Sequence, residues 1–234
     1  MTDHYDTWGA QDTVQEFATK SVDDFFASET HHIKKIIHNI SSVLDVGCAS
    51  GKFIDLLRDL GTDPEYVGID ITASNIESAK HIYPSASFHH INALDYTSEK
   101  TFDLVNATGV CQHEPAYEKL IEKMVALSHK YVLFDLKLAA IDDHIIDRSI
   151  ASAGEDHKLY FNILCFSKLL EFLKSIPNIG TISMFGYETP THKETVIPAS
   201  IKSIVSTGVL LTKSNQEHAV PTIEIDLPDF LLSA

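Results

Sequence analysis

Residues 43–53, Val-Leu-Asp-Val-Gly-Cys-Ala-Ser-Gly-Lys-Phe, constrain the fold of this chain more than any other stretch. Val43, Leu44 and Val46 around Asp45 read as a buried strand, and Gly47, Ala49 and Gly51 as a tight turn of small residues. Phe53, Leu56, Leu57 and Leu60 then recur at helical spacing, and Gly61 supplies a helix stop. Strand, tight turn and helix form the unit that lets main chain approach a nucleotide-like ligand closely.

The same rhythm continues downstream. Strands are expected at Tyr66–Asp70, Ser87–Ile91, Phe102–Ala107 and Tyr131–Leu136. Between them fall a helix opened by Thr72 or Ser74 and running to Ile82, and a helix carrying Tyr117, Leu120, Ile121, Met124 and Val125, with Pro115 in its first turn. Upstream, Val22, Phe25, Phe26, Ile33, Ile36, Ile37 and Ile40 recur at helical spacing, and Ser21 with Asp24 can form a capping box. Alternation of this kind predicts βαβ units and an α/β fold with a mostly parallel sheet. After Leu138 it breaks into a polar-mixed segment over 139–160, followed by a helix at Ser167–Ser175. The apolar runs Ile179–Tyr187 and Ile204–Lys213, with no long helix between them, predict an antiparallel hairpin at the sheet edge. No repeat or linker interrupts residues 1–234, so a single domain is expected.

Charge and cysteine usage narrow the partners. Eighteen basic residues against thirty-three acidic ones give a net charge of −15, which disfavours nucleic-acid backbones and anionic membranes. Cys48, Cys111 and Cys165 form no CxxC pair and suggest a reducing compartment. With no secretory signal and no apolar run of spanning length, a cytoplasmic protein without nucleic-acid or membrane partners is expected. The doublets His31-His32 and His89-His90 and the run Asp142-Asp143-His144 are the densest potential ligand groups. Adjacent residues point apart, so no metal is expected.

In an open α/β sheet the ligand lies beyond the carboxyl ends of the strands. Gly47, Cys48, Ala49 and Gly51 follow the first strand, Asp70 and Ile71 close the second, Ala93-Leu94-Asp95 lie beyond the third, and Thr108-Gly109 follow the fourth. Asp45 would repel a pyrophosphate but can hold a cationic amine. Asp70 can accept hydrogen bonds from two ribose hydroxyls, and Asp95 from an adenine amino group. S-adenosylmethionine carries all three groups. A dinucleotide fingerprint G-x-G-x-x-G would fall on Gly47, Ala49 and Lys52, where two of three positions fail. Taken singly, Asp70 reads as a helix cap and Asp95 as a turn residue. Their order at successive strand ends favours one site.

This set resembles the class I S-adenosylmethionine-dependent methyltransferases over roughly residues 21–213. The resemblance implies a Rossmann-like three-layer sandwich whose seven strands, counted along the chain, lie in the order 3-2-1-4-5-7-6 with the seventh antiparallel. It also implies S-adenosyl-L-methionine as cofactor, held by Asp45, Gly47, Cys48, Ala49, Gly51, Asp70, Ile71, Ala93, Leu94, Asp95, Thr108 and Gly109. Ala49 stands where the family often has a second glycine, and slight crowding of the loop is expected there. Methyl transfer from a sulfonium is an in-line displacement in which the enzyme mainly positions the nucleophile and excludes water. A base is needed only for a protonated acceptor. His113 is the candidate base, with packing or capping of the next helix as the other reading. Lys137 could contact an anionic acceptor or pair with Asp135, and Tyr5 and Trp8 could belong to a lid within an N-terminal lid and helix over 1–40. Metal-dependent relatives place acids after the fourth and fifth strands, which Asn106 and Lys137 do not match.

Phe134–Leu138, Tyr160–Phe166 and Phe185–Tyr187 look like segments of small methyltransferases encoded with bacterial surface-polysaccharide genes. That second resemblance implies O-methylation of a sugar or sugar-linked group, with residues 139–165 as a substrate-binding insertion. A natural-product or metabolite acceptor methylated on oxygen or nitrogen is the second reading, and a non-catalytic binding protein the third. A small-molecule acceptor and a monomer or homodimer are expected.

Overall fold

A computed structural model of the protein describes residues 25, 27–154, 157–190, 194–216 and 220–232. Helix α1 (Ala27–Ile36) and a 3-10 turn (Ile37–Asn39) lead into β1 (Ser42–Val46) and α2 (Phe53–Asp59). Next come β2 (Glu65–Asp70), α3 (Ala73–Ile82), β3 (Ser87–His90) and β4 (Phe102–Ala107). A second 3-10 turn (Cys111–His113) precedes α4 (Tyr117–Leu127) and the long strand β5 (Ser128–Ala139). The short strands β6 (Ser152–Ala153), β7 (Leu159–Tyr160) and β8 (Ile163–Cys165) precede α5 (Phe166–Ser175). The described chain ends with β9 (Ile179–Thr189), β10 (Ile204–Lys213), β11 (Thr222–Asp226) and α6 (Asp229–Leu232).

The main sheet runs β3-β2-β1-β4-β5-β10-β9-β11, with β8 paired to β5 beside this path. Strand β10 is antiparallel to both neighbours, Val209 facing Phe134 on one side and Met184 on the other. The seven expected strands thus lie in the expected order, but the sheet has nine strands. Strand β8 was not legible in the sequence because it is three residues long; it pairs with Lys137–Ala139, and Ile163 adds a bridge to Ile145. Strand β11 escaped notice because it is short, acid-bearing and mostly exposed, with no run of apolar residues.

Two cores sandwich the sheet. Alternation sends Leu44, Val105, Phe134 and Val209 to one face, where α4 and α5 cover them. Val43, Leu104, Leu133 and Leu210 face the other side, under α1, α2 and α3. In α4, Tyr117, Leu120, Ile121, Met124 and Val125 form one buried stripe. At ~1.5–3 kcal/mol per buried apolar side chain, that stripe alone is worth on the order of 10 kcal/mol before conformational entropy is charged against it. Helix α1 lies close against β10 because Gly208 carries no side chain. A Cβ there would sit 2.8 Å from the Cβ of Ser28 and 3.1 Å from Cδ2 of His32.

The end of α2 follows the expected chemistry, whereas Thr72 opens α3 without a side-chain capping bond and Pro115 does not enter α4. Past α2, Gly61 adopts φ +88°, its N–H donates to the Arg58 carbonyl (2.9 Å), and Thr62 N–H reaches Leu57 (3.0 Å). Pro115, by contrast, precedes the capping residue Ala116 instead of entering the first turn of α4. Glu114 Oε1 accepts the Ala116 N–H at 2.8 Å, so a side chain upstream of the proline satisfies this helix start. The expected capping box at Ser21 and Asp24 lies outside the described residues. Residues 139–165 build a small core of their own from Ala139, Ala151, Leu159, Phe161 and Ile163.

Candidate active site

A cavity of about 610 Å³ opens where β1, β2 and β4 end. Its floor is the turn after β1. Gly47 and Cys48 both donate their N–H to the Ile69 carbonyl, at 2.8 and 3.1 Å, which ties the turn to β2. Gly47 has φ +70°, and a Cβ on it would collide with Val110 Cγ2, so no other residue fits without displacement. Ala49 also has a positive φ, +44°, and donates its N–H to Asp70 Oδ2 at 2.9 Å. The expected crowding is therefore better described as backbone strain. The methyl group holds a left-handed conformation that costs about 1–2 kcal/mol in an L-residue.

The two strand-end carboxylates are built differently. Asp45 is buried, and its Oδ1 accepts from Asn106 Nδ2 (2.8 Å) while Oδ2 accepts from the Tyr66 hydroxyl. Burial and this neighbouring carboxylate push the Tyr66 hydroxyl well above its usual range, so it stays a donor. Asp70 takes main-chain donors, Ala49 on one oxygen and Thr72 N–H (2.7 Å) on the other. Burial raises the pKa of Asp70, and the amides of Thr72 and Ala49 oppose the rise. Around it, Ile71, Thr72 and Asn75 line the cavity, and Asn75 Oδ1 is buried with no hydrogen-bond partner. Such an orphaned acceptor fits a ligand that carries hydroxyl or amino donors.

Beyond β3 the sequence expectation needs correction. Ala93 and Leu94 line the cavity, but Asp95 is exposed and does not. A turn turns it outward: Asn92 Oδ1 accepts Leu94 N–H (2.9 Å) and the Asn92 carbonyl accepts Asp95 N–H (3.0 Å). Asn92 is the polar residue that faces the cavity here.

The loop after β4 closes the other end. Thr108 and Gly109 line it, with Gly109 N–H donated to Asp135 Oδ1 at 2.5 Å. His113 Nδ1 lies 2.6 Å from the Tyr160 carbonyl, which can only accept, so Nδ1 carries the proton. Its Nε2 then accepts from Gln112 Nε2 at 3.0 Å. Burial pushes the imidazole down to about 4, against the Tyr160 hydrogen bond and with help from the Lys137 charge, so His113 is neutral near pH 7. Asn162 fastens the same loop. Its N–H donates to the Gln112 carbonyl (2.7 Å), and its Nδ2 to those of Cys111 (3.0 Å) and Glu114 (2.7 Å). None of residues 139–165 lines the cavity among those described; this segment reaches the site through Tyr160 and Asn162.

Of the two readings of Lys137, the structure is closer to the pairing with Asp135 than to acceptor contact. Lys137 is buried beside β10, its Nζ donates to Ser206 Oγ at 2.8 Å, and it does not line the cavity. Burial lowers its pKa, while the charges of Asp135 and Glu29 raise it. Tyr5 and Trp8 lie outside the described residues. Phe25 and Glu29 line the cavity from the α1 end; the helical spacing marked Phe25 as core, and nothing local marked Glu29. Burial and nearby carboxylates raise the Cys48 and Cys111 thiols far above the range of a nucleophile. Among the described residues no group of His, Cys, Asp or Glu could hold a metal ion, and no helix is long and apolar enough to cross a membrane.

Comparison with known proteins agrees with this geometry. The family model for a methyltransferase domain matches residues 37–172. A protein named as methyltransferase 235L of Invertebrate iridescent virus 6 is 23% identical over 194 residues, covering 81% of this chain and 71% of that protein. Among solved structures, magnesium protoporphyrin IX methyltransferase of Synechocystis with bound S-adenosylmethionine superposes with a TM-score of 0.58 at 13% identity, over 92% of this chain and 98% of that one. The N-terminal domain of EvdMO1, crystallised with S-adenosylhomocysteine and D-fucose, gives 0.59 at 11% identity over 79% and 81%. The chain belongs to the methyltransferase domain family, as a class I enzyme that uses S-adenosylmethionine.

Proposed function

We propose that this methyltransferase transfers the methyl group to a hydroxyl of a small neutral acceptor, a sugar or sugar-linked group. The observation that carries the reading is the make-up of the cavity end formed by α1 and the loop after β4. Glu29, Thr108, Gln112, His113 and Glu114 line it, and no lysine or arginine from either element does among the described residues. A carboxylate acceptor would meet like charge there, whereas a polyol meets hydrogen-bond acceptors. The structure of EvdMO1 in the presence of S-adenosylhomocysteine and D-fucose supports the same class.

In this reading Asp70 takes the ribose hydroxyls on the lone pairs its two amide donors leave, and Asp45 faces the ammonium group. Asn92 with Ala93 and Leu94 borders the adenine. The cofactor supplies an electrophilic methyl on a sulfonium. The chain holds the acceptor oxygen in line with it and keeps water out. His113, neutral and engaged at both nitrogens, orients its neighbours and is not the base. The hydroxyl proton passes to a carboxylate of the same lining, Glu29 or Glu114, as the methyl leaves the sulfonium and the bonding pair stays on sulfur to give S-adenosylhomocysteine.

Titration calorimetry with S-adenosylhomocysteine tests the cofactor half. Wild type binds, and Asp70→Ala, which removes two charge-assisted acceptors, weakens binding about 100-fold. Equal affinity overturns it. Labelled methyl transferred to a neutral hexose forms an ether that survives mild alkali; an alkali-labile methyl ester as product overturns the sugar half.

A further inference from the structure

We infer that Gln112 is the residue that selects and positions the acceptor, through a hydrogen bond from an acceptor hydroxyl to its side-chain carbonyl Oε1. The inference deepens the proposed function and rests on it.

Three contacts fix this side chain one after another. The Tyr160 carbonyl at 2.6 Å forces the proton of His113 onto Nδ1. His113 Nε2 is then an acceptor, and only the amide nitrogen of Gln112 can meet it at 3.0 Å. The orientation of the amide follows, and Oε1 becomes the atom left over. Asn162 N–H holds the Gln112 main-chain carbonyl at 2.7 Å, so the backbone cannot swing to satisfy the side chain elsewhere.

Oε1 is shielded from solvent and receives no hydrogen bond, although Gln112 lines the cavity and is 8% exposed. A carbonyl held dry and unpaired by three other contacts is a poor structural choice, since leucine or methionine would fill the space without an unmet acceptor. It is a good choice for a site that must recognise a donor. A hydroxyl satisfies it, whereas a carboxylate on the ligand repels it and meets Glu29 and Glu114 nearby in the same lining. Discrimination then arises from the atom left unpaired when the wrong ligand enters.

The test compares D-glucose with D-glucuronate, which differ only at C6, and with D-fucose as a second neutral sugar. Saturation-transfer NMR measures D-glucose, D-fucose and D-glucuronate binding to protein saturated with S-adenosylhomocysteine, in wild type, Gln112→Met and Gln112→Glu. The neutral sugars bind wild type, and D-glucuronate binds at least about tenfold more weakly. Gln112→Met weakens the neutral sugars about tenfold, equivalent to ~1.4 kcal/mol, and leaves S-adenosylhomocysteine affinity within about twofold. Gln112→Glu keeps an acceptor oxygen and retains more of the neutral-sugar affinity than Gln112→Met. Equal sugar binding by wild type and Gln112→Met, or D-glucuronate binding as tightly as D-glucose, overturns the role of Gln112; no sugar bound to the loaded wild type overturns the sugar reading and the role of Gln112 with it, while the cofactor reading stands. A wild type that fails to bind S-adenosylhomocysteine overturns both.

Discussion

Asn162 offers the sharpest test of how the site is held together. It is fully buried and spends both amide protons on the carbonyls of Cys111 and Glu114, at 3.0 and 2.7 Å. Asn162→Ala deletes both bonds, worth about 1 kcal/mol each, and leaves a buried Glu114 carbonyl whose exposure to an apolar gap costs about 1–3 kcal/mol. Two effects reduce the sum. Cys111 O keeps a long hydrogen bond from Glu114 N–H (3.4 Å), and the wild-type Oδ1, itself buried without a partner, disappears. The net loss is about 2–3 kcal/mol. At ~2–4 °C per kcal/mol for a chain of this size, the melting temperature falls by roughly 5–10 °C, read by circular dichroism. Asn162→Asp is the control. It keeps the shape but sets a carboxylate against two carbonyls, so it destabilises more than alanine at neutral pH and recovers part of the loss on acidification, when the carboxyl gains a proton to donate. An alanine variant melting within about 1 °C of wild type, or an aspartate variant more stable than alanine at pH 7, refutes this account of the loop.

Two further outcomes follow from the same reasoning. Gly47→Ala combines a positive φ with a collision against Val110, so it lowers stability by at least about 1–2 kcal/mol and weakens S-adenosylhomocysteine binding more than tenfold; unchanged calorimetric affinity counts against the close-approach argument. His32 is fully buried, donates Nε2–H to the Gly208 carbonyl (3.1 Å), and has no partner at Nδ1, and burial lowers its pKa to about 4. Its neutral form is the one that folds, so its contribution is complete above pH 6.5 and is lost as pH falls through 4, up to about 3 kcal/mol. His32→Gln flattens the stability profile between those limits, and parallel denaturation curves for the two proteins would disprove the assignment.

Much of the architecture was legible because periodicity and turn chemistry agreed. Phe102–Ala107 and Ile204–Lys213 are strands over those residues, and Gly61 ends α2 with the left-handed turn its lack of a side chain allows. Residues that line the cavity were legible where strand ends dictate position, as at Asp45, Gly47 and Asp70. Asp95 misled because an aspartate four residues past the expected strand end at Ile91 looks like a reaching carboxylate. Its direction depends on a turn that Asn92 closes with its own side chain. For Lys137 the choice between acceptor contact and pairing with Asp135 was not legible, because alternation gives the face of a strand but not what covers it, and α1 covers this one. The clamp of Tyr160 and Asn162 on the loop after β4 joins residues about fifty positions apart. No local pattern encodes such a contact, so the tautomer of His113 and the orphaned oxygen of Gln112 emerge only in three dimensions.

Strand β11 has a consequence at the far rim of the sheet. Without it, β9 would present its open ladder at the edge beside Ile182 and Met184, a ready template for another extended chain. With it, the outermost strand is five residues long and exposes Glu224 and Asp226. A second copy approaching to lengthen the sheet would have to lay those carboxylates beside their own counterparts on a molecule already carrying a net charge of −15. Electrostatic repulsion thus opposes further growth of the sheet at the β11 rim, and that repulsion fades as salt rises.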